Sequence, residues 1–194
     1  MRKLFYILAI FSALAFTGIE YSTKSLSVSV EDDSEVSISG TTNVNSFTCN
    51  YNILKLENPI PVSFESRDQT MFFNSTFLEL ENKCFDCGHK AINKDFNKLL
   101  KTEVYPKIQL NLKQINKDSK QKDLLSALVE IHIANKKNTY RVPVKADGNK
   151  NLMVLGELKL NLPDFNLEAP KKALGLIVVH DEIEVNFKLH LKQI

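Results

Sequence analysis

The sequence predicts an all-β protein, an antiparallel β-barrel of about eight strands with one short amphipathic helix. Three observations predict it. Apolar and polar residues alternate with period two through segment after segment, giving each strand one buried and one wet face. Turns separate these segments, whereas a parallel sheet would show continuously apolar strands joined by many crossover helices. A single stretch carries a helical stripe instead: Ile92, Phe96, Leu99 and Leu100 fall at i, i+4, i+7 and i+8.

The elements follow in order. Val36 and Ile38 alternate with Ser and Glu, and Phe47, Cys49, Tyr51 and Ile53 share one face of the next strand. Leu78 and Leu80 alternate with Glu79 and Glu81. The helix is expected at 90–101, with Pro106 beyond it as the stop. Ile108, Leu110 and Leu112 then form a strand, as do Val129, Ile131 and Ile133, and Val142 and Val144 around an outward Arg141. Leu158, Leu160 and Leu162 follow, with a short turn expected at Ala169–Leu174, opened by Pro170. The last strand is the cleanest. Ile183, Val185, Phe187, Leu189 and Leu191 point inward against outward Glu182, Glu184, Asn186, Lys188 and His190. No linker or repeat divides the chain, so one domain is expected over 19–194.

The first residues read differently. Arg2 and Lys3 precede an apolar run from Leu4 to Phe16, and Ala13-Leu14-Ala15 places small residues where a signal peptidase cuts. This is the layout of a secretory signal peptide, expected over 1–18 with cleavage between Phe16 and Glu20. The run is shorter than the ~20 residues a bilayer span needs, so no transmembrane segment is expected after its removal. The 25 basic and 23 acidic residues of the whole chain balance once Arg2 and Lys3 are set aside. A neutral chain offers no electrostatic footprint for nucleic acid or an anionic membrane.

Chemistry is sparse. The chain has no G-x-S-x-G elbow, P-loop, G-x-G-x-x-G or H-E-x-x-H. The four His are scattered: His132 and His190 on polar strand faces, His180 at a strand end, His89 at the helix start. Glu182 and Glu184 point outward together, as a solvated face. No catalytic residue, metal site or cofactor is expected. Cys84 and Cys87 have the C-x-x-C spacing, but only His89 lies close by as a further ligand, and the strands form no βαβ units. In an exported protein the simpler reading is one structural bridge from Cys49 to the 84–87 segment.

SGTTNVNSFTCNY (Ser39 to Tyr51), FDCGHKAINKDFNKLLKTEVYPKI (Phe85 to Ile108) and GELKLNLPDFNLEAP (Gly156 to Pro170) resemble, in order and spacing, the YceI-like family of polyisoprenoid-binding proteins. The resemblance runs from about residue 35 to 192, while Pro59 to Phe73 departs from it. It implies a lipocalin-like barrel exported to the periplasm of a Gram-negative bacterium, with a long isoprenoid or lipid in its lumen and no catalytic residue. On that basis Phe47, Leu80, Phe96, Leu110, Ile131, Leu158 and Phe187 are the expected ligand contacts. Cys49 and Cys87 sit in two of the family-like pieces. Their strands, about 46–54 and 76–87, are read as consecutive neighbours, so Cys49–Cys87 is the expected disulfide, with Cys84 on the opposite parity and free. The alternative is a packed structural or stress-related barrel with no ligand.

Overall fold

The computed structural model describes residues 23–117, 124–148, 150–172 and 176–194. The expected signal peptide at 1–18 lies outside the described residues, as does part of the turn expected at Ala169–Leu174. Among the described residues, twelve strands and one α-helix follow one another: β1 (Thr23–Val30), β2 (Glu35–Thr42), β3 (Ser46–Tyr51), β4 (Ile60–Arg67), β5 (Thr70–Glu81), β6 (Phe85–Asp86), α1 (Lys90–Leu99), β7 (Lys107–Lys117), β8 (Leu124–Ile133), β9 (Lys136–Gly148), β10 (Asn151–Asn161), β11 (Lys171–Lys172) and β12 (Ile177–Gln193).

Eight of these strands close a ring in the order β1-β4-β5-β7-β8-β9-β10-β12 and back to β1. Every pairing is antiparallel. Closure pairs most of the wall's backbone, and β6 is left at the edge of the branch. The long strand β12 makes closure possible. One of its edges pairs with β10 throughout, from Glu182 to Lys192. Its other edge pairs with β2 from Val179 to Lys188 and then with β1 from Leu191 to Gln193. The wall branches there: β2 carries β3, and β3 carries β6.

The strands β1 and β4 were not among the expected eight. Leu26, Val28 and Val30 alternate on β1, and Ile60, Val62 and Phe64 on β4, the segment that departs from the family pattern. β4 therefore lies in sequence between the two strands that carry the Cys residues, which are not consecutive. They still meet, because the two-residue strand β6 pairs Asp86 with Asn50 and Phe85 with Tyr51. Ile53 also leaves the strand expected to hold it and opens a 3₁₀ turn at Ile53–Lys55, capped by the Asn52 side chain.

The helix α1 forms where the apolar stripe predicts it. His89 is its N-cap, with Nδ1 accepting from the Ala91 N–H at 3.2 Å. Pro106 is not what ends it. The helix stops at Leu100, Lys101 turns left-handed at φ 53°, and the Thr102 N–H reaches back to the Asn97 carbonyl at 3.0 Å. A backward bond of this kind satisfies carbonyls that the last helical turn leaves open.

The outer wall is wet and paired. Lys107 Nζ donates to Glu79 at 2.7 Å, and this bond, with a second from Gln109, holds the Glu79 carboxyl below its ordinary value. Lys159 pairs with Glu182 at 3.2 Å and Asn186 donates to Glu184 at 2.6 Å, so these two carboxylates are solvated outer-face groups. His132 contacts Glu130, His190 contacts Asp33, and Thr41 contacts His180, each on the surface. Among the described residues no cluster of His, Cys, Asp and Glu has the geometry of a metal site.

Candidate functional site

The inward faces of the ring enclose one elongated cavity of about 910 Å³. Cavities of roughly 300–1,000 Å³ are the size that takes small apolar ligands. All seven expected contact residues line it: Phe47 on β3, Leu80 on β5, Phe96 on α1, Leu110 on β7, Ile131 on β8, Leu158 on β10 and Phe187 on β12. The inward series of β12 (Ile183, Val185, Phe187, Leu189 and Leu191) also lines it in full. Register explains why these residues share one side. Leu80 faces Ile108, Leu110 faces Leu78 and Ile131, and Leu158 faces Val185, so one parity choice sends every partner to the same side.

Burial is graded along the barrel. Strand direction puts α1, the β2–β3 hairpin and the start of β12 at one end. There the apolar residues are packed: Leu80, Phe85, Phe96, Ile108, Ile131, Leu160, Phe165 and Ile183 are all buried. Phe165 has no exposed surface at all. Toward the other end, Leu26, Val62, Phe64, Met71, Ile115, Leu152, Leu189 and Leu191 also face inward, Met71 and Ile115 beyond bulges that switch the parity of β5 and β7, but are only half-buried. The inward side chains at that end are less covered, although Ala127, Val142 and Val144 form a second buried cluster on β8 and β9 with Ile115 packed against it. The barrel is thus a cup, closed by packing at the helix end and open at the other.

Two glycines shape the wall. Gly156 sits opposite Phe187, and Gly40 opposite Phe47. A Cβ at either position would collide with the ring of its partner. The two rings therefore lie across the glycines, along the wall, instead of projecting into the space. An aromatic covering a neighbouring strand glycine is a recurrent way to let a sheet curve.

The closed end is held by specific bonds. The 3₁₀ turn at Leu162–Phe165 folds under the barrel, with Asn166 left-handed behind it. Asn138 Nδ2 donates to the Asp164 carbonyl at 2.6 Å and the Tyr140 hydroxyl to the Asp164 carboxylate at 3.1 Å. Burial first, then the nearby Asp164 charge, push Tyr140 up to about 12, so it remains a neutral donor. Asn82 donates to Thr102 at 3.1 Å and to the Tyr105 carbonyl at 2.9 Å, tying β5 to the chain beyond α1. Cys49 and Cys87 form a disulfide, and Cys84 is free. Burial, with Glu81 beside it, pushes the Cys84 thiol up, which disfavours the thiolate a redox site needs.

Sequence reasoning found the lining but not the grading of the cup, nor the polar residues at its rims. Thr42, Asn45, Ser46 and Asp95 line the cavity at the helix end, and Lys117, Lys150 and Gln193 at the other. The rim lysines were legible as period-two positions just past the last apolar residue of a strand, but only closure of the ring shows that they meet at one opening.

None of the curated proteins compared with this chain matches it. Several solved structures share the fold. BcnA from Burkholderia cenocepacia is 19% identical with a TM-score of 0.58, over 84% of this chain and 98% of that one. A polyisoprenoid-binding domain from Saccharophagus degradans is 13% identical with a TM-score of 0.60, over 86% and 98%. The YceI protein of Campylobacter jejuni is 10% identical with a TM-score of 0.51, over 92% and 93%. The model of the YceI-like domain matches residues 23–191, a span that includes β1 and the departing segment around β4. With that match over most of its length, the chain belongs to the YceI-like family.

Proposed function

We propose that this protein is an exported binding protein that carries or stores a long apolar ligand, a polyisoprenoid or other lipid, in the barrel lumen. The observation that carries the reading is the open apolar cup of about 910 Å³. Each methylene of a lipid chain costs about 0.8 kcal/mol to expose to water, and an apolar lumen removes that cost. The polyisoprenoid-binding domain with the same fold supports the ligand class. Phe47, Leu80, Phe96, Leu110, Ile131, Leu158 and Phe187 are the proposed contacts. The protein acts by binding, with no catalytic residue or cofactor.

Export fits the Cys49–Cys87 disulfide, since such bonds persist in oxidising compartments such as the periplasm. The proposed mature chain is 19–194, and N-terminal sequencing of an exported form that began at Met1 would overturn this.

Native mass spectrometry and lipid extraction of the purified protein test the main reading. A bound long-chain species is expected; an empty protein that also takes up no lipid when offered it leaves the packed-barrel alternative. Substitution separates the two as well. Leu110 is half-buried on the cavity, so Leu110→Trp is expected to fill space and weaken ligand binding by about tenfold or more while changing stability by less than about 1 kcal/mol. Ile131 is buried, so Ile131→Trp is expected to overpack and destabilise by about 1–3 kcal/mol. Equal destabilisation by both would mean that the lumen is a solid core.

A further inference from the structure

Three strands change character at the open end of the cup. On β7 the inward Ile115 is followed, two residues on, by Lys117; on β12 Leu191 is followed by Gln193; on β10 Leu152 is preceded by Lys150. Period two keeps all three in the inward series, and all three line the cavity and are exposed. Lys24 on β1, opposite the lining residue Phe64, holds the same parity. The acidic lining residue, Asp95, is at the other end, on α1. The basic residues of the lining are thus at one end of the lumen and its acidic residue at the other.

The rim lysines also differ from those of the outer wall. Lys107, Lys113 and Lys159 pair with Glu79, Glu130 and Glu182. Among the described residues, Lys117 and Lys150 make no ion pair. From β7 to β10 is three strand spacings, about 14 Å, and the register Lys117–Leu125–Val144–Gly156 leaves Lys150 a further six residues, about 20 Å, along its own strand. Lysine stems lie along apolar surface with the ammonium in water, so each of the two exposed lysines can bring its charge to the rim of the lumen.

We propose that this opening binds the anionic headgroup, a carboxylate or phosphate, of a single-chain amphiphile whose apolar tail fills the lumen. The proposal rests on the lipid-binding reading above and sets the ligand's direction and charge. A charged headgroup cannot be buried unpaired without a large cost. The helix end offers it no cation from the lining, and the acidic Asp95 stands there. The open end offers two exposed lysines, so the tail points toward Phe96 and the head toward Lys117 and Lys150.

Binding of three sixteen-carbon probes to the lipid-stripped protein tests this, each read by displacement of a neutral fluorescent dye: hexadecanoate, hexadecyl phosphate and hexadecanol. At low salt the two anions are expected to bind about tenfold tighter than the alcohol. The advantage should shrink in 0.5 M salt, as screening at an exposed site requires. It should be lost in Lys117→Gln/Lys150→Gln, with hexadecanol binding unchanged, and kept in the control Lys94→Gln/Lys98→Gln on the exposed face of α1. A preference for phosphate over carboxylate, or the reverse, supports the proposal and identifies the head. Equal binding of all three probes, or an anion preference that survives in Lys117→Gln/Lys150→Gln, overturns the headgroup site and leaves the lipid-binding reading standing. Failure of all three to bind overturns both.

Discussion

Phe165→Ala is expected to destabilise the protein by about 3–5 kcal/mol, the cost of emptying a large aromatic site in a packed interior. Phe165 is fully buried beneath the barrel and stacks on Tyr140, ring centroids 6.2 Å apart. It sits in a 3₁₀ turn bounded by a left-handed Asn166, which cannot shift to fill the space without breaking the Asp164 bonds to Asn138 and Tyr140. Against a typical total stability of about 5–15 kcal/mol, the loss is a large share, and urea denaturation would read it as a lower midpoint. Phe187→Ala makes the informative pair. Its ring lines the lumen, lies over Gly156 and is only half-buried, so the change enlarges an existing cavity instead of making a new one. The expected cost is under about 2 kcal/mol, with a clear loss of ligand affinity. If Phe187→Ala cost as much as Phe165→Ala, the lumen would have to be closed in solution.

Removing the disulfide by Cys49→Ala/Cys87→Ala is expected to cost about 4 kcal/mol. The bridge closes a loop with a sequence separation of 38, and the chain-entropy estimate for that length gives about this value. The effect should be local as well as global. Strand β6 is joined to the wall by only two paired residues, Asn50–Asp86 and Tyr51–Phe85, and the bond anchors the start of α1 beside them. Hydrogen exchange in α1 is therefore expected to speed up more than in β7–β10. Cys84→Ala is the control and should change little, because Cys84 is free and half-buried. An oxidised and a reduced protein of equal stability would show that strand pairing and the contact of Phe85 with Phe96, centroids 5.3 Å apart, hold this corner unaided.

The strands most legible in the sequence were those whose two faces differ most. The β12 series from Ile183 to Leu191 against Glu182 to His190 could be assigned from alternation alone, as could Ile108 to Leu112 and Val129 to Ile133. The strands β1 and β4 were passed over: their alternation is against Ser, Pro and Glu in short runs, and pairing with β12 and β5 decides their state. The Cys49–Cys87 bond was anticipated on a premise the fold does not share, since β4 intervenes between the two strands. Parity was the sound part of that reasoning, because it depends on the backbone pleat and not on strand order.

By itself, then, the sequence determined which apolar residues of the eight expected strands face inward and where the helix at Lys90–Leu99 lies. Side-chain alternation is a local property of the extended backbone, so it can be read without knowing any partner. Only the tertiary structure decided that Lys117, Lys150 and Gln193 share one opening, that Gly40 and Gly156 receive the rings of Phe47 and Phe187, and that the lumen is packed at one end and open at the other. Each of these depends on strand order, register and closure, which bring together residues far apart in the chain and which no local pattern encodes.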